Sequence, residues 1–311
     1  MNSSPRKGRA SVILSTASAL SGCSGYKPPT DTPTGLAQAA AKTRPALLYV
    51  SDGDKGDVFV YSYSSLKLVR TLSGLQSPTG LSVDPQNGNV WVTVAGPSVS
   101  QVVEFAHGGS KPMRTFQDGG DEGVEGCAVS PTSYDLAISN ASFGGDDPGD
   151  VVIYNLQTGR SKTYRDKGMF YFALLGYDAD GNLFADATPS SYNSTFRLDE
   201  LPNGGNKLVN IRWHGPTIRD AENVQYDGTS VTVGDLEKAL IYQTAGGKVL
   251  GTTTLTRACY VDQYFIDDDN VIVPSNCNKA GTISVYDYPE GGVPTKTIGG
   301  FGLAFGAVIS R

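Results

Sequence analysis

A chain of 311 residues with 38 Gly, 17 Pro and 16 Tyr, of which only 18% are charged, suits many short strands and tight turns better than long helices. Length alone allows one large all-β domain or two ordinary ones, and a hydrophobic share of 39% can fill a core. The formal net charge of −6 offers no basic surface to a phosphate backbone and argues against nucleic acid as a partner.

At the N-terminus Arg6, Lys7 and Arg9 precede an apolar stretch, residues 10–20, that is too short for a permanent membrane span. This is the pattern of a secretion signal. It ends in Leu20-Ser21-Gly22-Cys23, which resembles the bacterial lipobox. The resemblance implies removal of residues 1–22 and acylation of Cys23, whose lipid chains would hold the protein on a membrane at about 0.8 kcal/mol per buried methylene. The expected location is therefore extracytoplasmic, on the cell envelope. Ser24 rather than Asp follows the cysteine, which in such lipoproteins implies the outer membrane where the host has one. Residues 23–45 are rich in Pro, Thr, Gly and Ala without strand alternation, and read as a flexible tether.

From residue 46 onward one phrase returns six times: Val58-Phe-Val-Tyr61, Val102-Val-Glu-Phe105, Val151-Val-Ile-Tyr154, Thr195-Phe-Arg-Leu198, Ala239-Leu-Ile-Tyr242 and Ile283-Ser-Val-Tyr286. Their last residues are 44, 49, 44, 44 and 44 apart. A period of about 40 to 50 with four short strands per unit predicts a β-propeller. The longer interval is accounted for by an insertion at residues 144–149.

Each unit reads as an inner strand such as Gly80-Leu-Ser-Val-Asp84, a second strand such as Asn89-Val-Trp-Val-Thr93, the phrase above, and an outer strand such as Met113-Arg-Thr-Phe116. The chain opens this pattern at Leu47 with a second strand and closes it at residues 306–309 with an inner one. Joining the two would complete one unit and leave no open sheet edge. The predicted fold is thus an all-β, six-bladed β-propeller over residues 46–311. Its blades are four-stranded and antiparallel, and the C-terminal strand joins the N-terminal blade. Pro78-Thr-Gly-Leu-Ser-Val-Asp84 and Gly88-Asn-Val-Trp-Val92 resemble the repeat wording of the NHL and SMP-30/gluconolactonase-like propellers. That match carries no catalytic motif and speaks to fold rather than function.

Cys259 precedes an inner strand and Cys277 follows the second strand of the same unit, across a turn at residues 267–270. Antiparallel pairing should place them face to face, and outside the cytoplasm they should oxidise, a closure worth about 3 kcal/mol. Cys127, inside an inner strand, reads as a small core residue.

In a propeller the loops entering the inner strands share one face with the loops leaving the second strands, around the axial channel. Those segments bring Glu122, Glu125, Asp220, Glu222, Asn223 and Asp262 together with Phe170, Tyr171, Tyr260 and Phe301. The carboxylates suit a hard cation such as calcium, and the aromatics suit an apolar or sugar-stacking wall. The lactonases of the resembling group hold a divalent ion through Glu, Asn and Asp at this mouth, and Glu125, Asn223 and Asp262 match those residue types. Glu125 is then the candidate for chemistry. Asp52-Gly-Asp-Lys-Gly-Asp57 departs from a calcium loop at its fifth and sixth positions and reads as a turn.

The two histidines, His107 and His214, both fall near outer strands, and no nucleophile elbow or P-loop is present. Two functional expectations follow. One is a membrane-anchored binding or scaffold module for a small ligand, glycan or envelope protein. The other is a metal-dependent, lactonase-like hydrolase.

Overall fold

In a computed structural model, which describes residues 44–96, 99–117, 123–142, 148–189 and 196–311, the chain is built of strands with no helix among the described residues. The strands pair antiparallel in fours along the chain. The first set is β1 (Leu47–Asp52), β2 (Asp57–Ser62) and β3 (Lys67–Ser73), completed by the final strand β24 (Ala304–Ser310). Next come β4 (Pro78–Val83), β5 (Val90–Gly96), β6 (Val99–Phe105) and β7 (Pro112–Gln117). The third set is β8 (Gly123–Val129), β9 (Asp135–Ala141), β10 (Asp150–Asn155) and β11 (Ser161–Tyr164). The fourth is β12 (Tyr171–Tyr177), β13 (Leu183–Thr188), β14 (Arg197–Leu201) and β15 (Val209–Ile211). Then follow β16 (Val224–Tyr226), β17 (Val231–Asp235), β18 (Leu240–Ala245) and β19 (Lys248–Leu255). The last set is β20 (Phe265–Asp267), β21 (Asn270–Cys277), β22 (Ala280–Asp287) and β23 (Gly291–Phe301). Short lateral pairings, Tyr171 with Ala141 and Thr254-Leu255 with Gly291-Gly292, join neighbouring sets into larger sheets.

Chain closure follows the expected pairing, with Leu48 opposite Ile309 and Tyr49 opposite Val308. The first strands of consecutive sets neighbour one another in a cycle running β24, β4, β8, β12, β16, β20 and back to β24. Burial falls from this axis outward: β1 and β9 are buried almost throughout, whereas β3 and β7 are mostly exposed. The second strands are continuous apolar runs because a sheet packs on each of their faces.

Each apolar cluster lies between two consecutive sets. Tyr49, Val58 and Val60 meet Val90 and Val92, and Trp91 and Val102 meet Cys127, Leu136 and Ile138. The last cluster joins Ile272, Ile283 and Phe301 to Leu48, Val50 and Ile309, so the chain ends are held by core packing as well as by a ladder. Close approach of inner strands needs a missing side chain at Gly80, where a Cβ would lie 2.9 Å from the Glu125 carbonyl oxygen.

The Cys259–Cys277 disulfide is present, with Cα atoms 5.2 Å apart, and Cys127 is a buried free thiol. Burial raises the Cys127 pKa, in keeping with a core residue. Two of the six phrases are displaced from the sequence reading. Leu198 faces Asp186 and Ile241 faces Gly234, so the corresponding windows begin at Leu198 and Ile241 rather than at Thr195 and Ala239. An apolar alternation fits several windows, and what sets the register is the pairing of the second strand with the inner one.

Candidate functional site

Four of the inner strands, β24, β4, β8 and β12, are irregular in register at one end, and the site begins at these bulges. In β8, Val124 faces Asn140 and Gly126 faces Ser139, which leaves Glu125 as the extra residue. In β4 the irregularity falls between Pro78 and Leu81, and in β12 between Phe172 and Leu175. Opposite these bulges the second strands of the first three sets carry hydroxyls that tie each set to the next. Ser51 Oγ donates to the Thr79 carbonyl at 2.6 Å, Thr93 Oγ1 to the Glu125 carbonyl at 3.2 Å, and Ser139 Oγ to the Ala173 carbonyl.

The fourth set breaks this rule with Asp186. The residue is 1% exposed, and neither carboxylate oxygen closes a hydrogen bond. The amides of Leu174, Ala173 and Asp186 itself face the group, but burial dominates and holds its pKa well above the usual carboxylate range.

Around Asp186 stand Glu125, Glu222, Asp262 and Tyr171. Burial, then the charge of Asp262, pushes Glu125 up to about 8, against a hydrogen bond from Tyr171. Burial pushes Asp262 up to about 7, against a 3.0 Å hydrogen bond donated by Asn276 Nδ2. Glu222 is raised by burial and then by the charges of Asp262, Asp186, Glu125 and Asp220. The Tyr171 phenol is raised by burial and by the carboxylates Glu222, Glu125, Asp186 and Asp262. Among the described residues, none of the ion pairs includes any of these four carboxylates. Glu125 and Asp186 are buried and Glu222 and Asp262 half-buried, so the cluster is a poorly solvated group of acids that takes up protons where it has no other cation.

Asp262 also lines a cleft of about 620 Å³ together with Leu236, Tyr260, Asn276, Lys279 and Leu303. Tyr260 is held at φ 50° and is 57% exposed, so its ring stands at the rim. Leu303 is placed by Asp52, whose carboxylate accepts the Gly302 and Leu303 amides at 2.8 and 3.2 Å. Asp52 also accepts the Lys55 amide at 3.2 Å, so the segment from Asp52 to Asp57 is a turn that braces the mouth.

The other expected residues divide. Phe170 and Asp220 are half-buried beside Tyr171 and Glu222 in sequence. Phe301 turns into the core, its ring centroid 5.6 Å from Phe59 and 6.2 Å from Tyr61, and Leu303 supplies the apolar wall in its place. Asn223 donates through Nδ2 to the Tyr264 carbonyl at 2.9 Å and lines a separate, mainly apolar axial cavity of about 330 Å³ with Leu81, Cys127, Leu175 and Val308. Glu122 and Cys23 lie outside the described residues, as do residues 144–147 of the insertion. His107 bonds Ser310 Oγ at 2.6 Å and His214 bridges to Lys248, so neither joins the carboxylates.

Sequence reasoning missed Asp186 and Asn276. Asp186 could have been found by aligning the second strands of the repeats, where a carboxylate follows Ser51, Thr93 and Ser139. Asn276 carries no such signal, because its role lies in cross-set bonds to Asp262 and Ala304.

No protein-family model and no curated protein matches the chain. Among solved structures it is similar to a chain of a nidogen/laminin complex, with a TM-score of 0.69 at 11% identity over 86% of this chain and 98% of that one. It is also similar to a Bacteroides caccae protein of unknown function, with a TM-score of 0.63 at 9% identity over 86% of this chain and 100% of that one. A third similarity is to Kuenenia stuttgartiensis hydrazine synthase, with a TM-score of 0.54 at 12% identity over 78% of this chain and 73% of that one. At these identities the likeness speaks to architecture alone, and it supports an all-β propeller.

Proposed function

We propose that this protein is a binding module whose ligand sits at the axial mouth of a six-bladed propeller of the NHL and SMP-30/gluconolactonase-like kind. An acylated Cys23 carries it on the outside of a bacterial cell envelope, and on the outer membrane where there is one. The count of six rests on the antiparallel fours and on the repeated phrase. The anchor rests on the lipobox-like Leu20-Ser21-Gly22-Cys23. The observation that carries the binding function is the cleft lined by Asp262, whose charge is felt by Glu125 and Glu222, carboxylates in no ion pair among the described residues. An enclosed concave surface with apolar walls and a few convergent polar groups is the usual form of a small-ligand site. The ligand is a small molecule, a glycan or a segment of an envelope protein.

The test is a thermal-shift panel of glycans, amines and divalent salts against the purified full chain and its Asp262→Asn variant. A saturable shift lost in the variant supports the reading. No shift with any probe, or shifts indifferent to Asp262, overturns it. Membrane fractionation of Cys23→Ala, with labelled palmitate, tests the anchor separately.

One observation favours a second reading, a metal-dependent lactonase-like hydrolase: Glu125 and Asp262 interact and are both shifted toward neutrality, as an acid–base pair would be. A divalent ion such as calcium, held by Glu125, Asn223 and Asp262, would polarise a carbonyl there. The fit is poor in this arrangement, because the Asn223 amide is engaged by Tyr264 and lines the other cavity. Stoichiometric metal in chelator-free protein, with turnover of a lactone and ester panel lost in Glu125→Ala, would favour the hydrolase.

A further inference from the structure

Asp262 on the cleft lining belongs to a group of four carboxylates that feel one another's charge, yet no three metal-ligating side chains among the described residues converge as a metal site would require. A calcium-like ion needs six to eight oxygens converging at about 2.3–2.6 Å. A protonated amine makes a different demand. It donates three hydrogen bonds of about 2.7–3.0 Å in divergent directions, so its acceptors stand farther apart. Its alkyl stem also needs apolar walls, which a bare ion does not.

We propose that the axial carboxylates recognise an organic ammonium, a protonated primary amine on an alkyl stem, as the charged group of the ligand. The proposal rests on the axial-binding reading above and names the ligand's chemistry. Two independent features point to it. Asp186 is buried to 1% exposure with neither carboxylate oxygen closing a hydrogen bond, and its charge is felt by Glu222 and Tyr171. Beside Asp262 the cleft offers Leu236 and Leu303 to methylenes and the ring of Tyr260 to a cation passing the rim.

The groups facing the cluster are Glu125 from β8, Tyr171 and Asp186 from β12 and β13, Glu222 and Asp220 from the segment before β16, and Asp262 and Tyr264 from the segment before β20. Lys279 is the one cation on the cleft lining. All but Lys279 are acids, and burial favours their neutral forms, so the cluster holds protons when no cation is bound to it. An ammonium that enters must displace protons to solvent, and its binding should strengthen as pH rises.

The experiment is isothermal titration of the full chain with n-butylamine, which like a lysine side chain stays protonated throughout, at about pH 6 and about pH 8.5. Each titration is run in two buffers of different protonation enthalpy, with n-butanol and calcium chloride as controls. The expected result is saturable amine binding that is about tenfold or more tighter at the higher pH, with proton release and no response to butanol. Glu222→Gln and Asp186→Asn should each weaken binding by about tenfold, since each removes one charged acceptor. Glu222 lies outside the strands, so Glu222→Gln keeps the test decisive if Asp186→Asn fails to fold. Amine binding no tighter than butanol, proton uptake, or calcium binding without amine binding overturns the assignment. If a neutral glycan binds in an Asp262-dependent way while amines do not, the ammonium alone is lost. If nothing binds in an Asp262-dependent way, the axial reading is lost with it.

Discussion

The side-chain amide of Gln263 is bonded to both backbone polar groups of Leu81: Oε1 accepts the Leu81 N–H at 2.7 Å and Nε2 donates to the Leu81 carbonyl at 2.7 Å. The amide thereby acts as one residue of an extra strand between β20 and β4. It passes over β24 at Gly306, where a Cβ would lie 2.5 Å from Oε1, so only glycine leaves room. The same device recurs where Gln225 clasps Ile266 at 2.9 and 3.4 Å, and where Asn276 clasps Ala304 at 2.9 and 3.0 Å. These clasps flank β16 and β20, which have only three residues each and make short ladders.

Replacing Gln263 by Leu should therefore destabilise the fold by about 2–4 kcal/mol, because a buried donor and a buried acceptor both lose their partner. Gly306→Ala should act through the same clasp. In urea unfolding the double variant should lose less than the sum of the single losses, and a fully additive loss would show the two sites to be independent.

Stability should fall as pH rises toward mild alkalinity. Glu125 and Asp262 are raised to about 8 and about 7, and Asp186 and Glu222 are raised as well. Between their unfolded and folded pKa values the native state binds more protons than the unfolded chain. Their contribution is thus complete below about pH 4 and is lost through the range up to about pH 8, at up to about 1.4 kcal/mol per pH unit per group. Denaturant midpoints measured without ligand should decline across that window, and a flat or rising profile would contradict a cluster of poorly solvated acids outside any ion pair.

Asp186→Ser should raise stability at about pH 8 by about 1–3 kcal/mol, by removing a buried carboxylate and restoring the hydroxyl that Ser51, Thr93 and Ser139 provide. The gain should shrink at about pH 5, where the protonated acid can donate as a hydroxyl does. Chemical unfolding of the variant at both pH values checks the sign. A stabilised variant that has also lost ligand binding would mark Asp186 as kept for function at the expense of stability.

The disulfide should matter to the cleft as well as to the fold. Cys259 is held by Ser275, whose Oγ accepts its amide at 2.9 Å, and its segment carries Tyr260 and Asp262. Replacing Cys259 and Cys277 together by Ser should cost about 3 kcal/mol for a loop of this size. Thermal melting with and without reductant should show the same loss in the native protein and no effect of reductant on the variant.

The architecture was legible because it is written locally. The returning Val-x-Val-Tyr phrase, the strand missing from each end and the symmetric placement of Cys259 and Cys277 about one turn are patterns of neighbouring residues. Short-range apolar alternation and turn chemistry are enough to read them. That Glu125, Glu222 and Asp262 lie close enough to feel one another's charge was also legible, because segments entering the inner strands of a repeat fold share a face.

What needed coordinates was everything that depends on contacts across the ring. Asp186 looked like one more strand residue until the bulge of β12 put its carboxyl beside Glu222 and Glu125. Asn223 and Phe301 fit the mouth by residue type, yet Tyr264, Phe59 and Tyr61 hold them elsewhere. Gln263 and Leu81 are 182 residues apart, and no local pattern encodes such a bond. Periodic apolar residues decide which strands form. Which polar side chains end up facing one another is decided by bulges and by packing between sheets, and these exist only after the ring has closed.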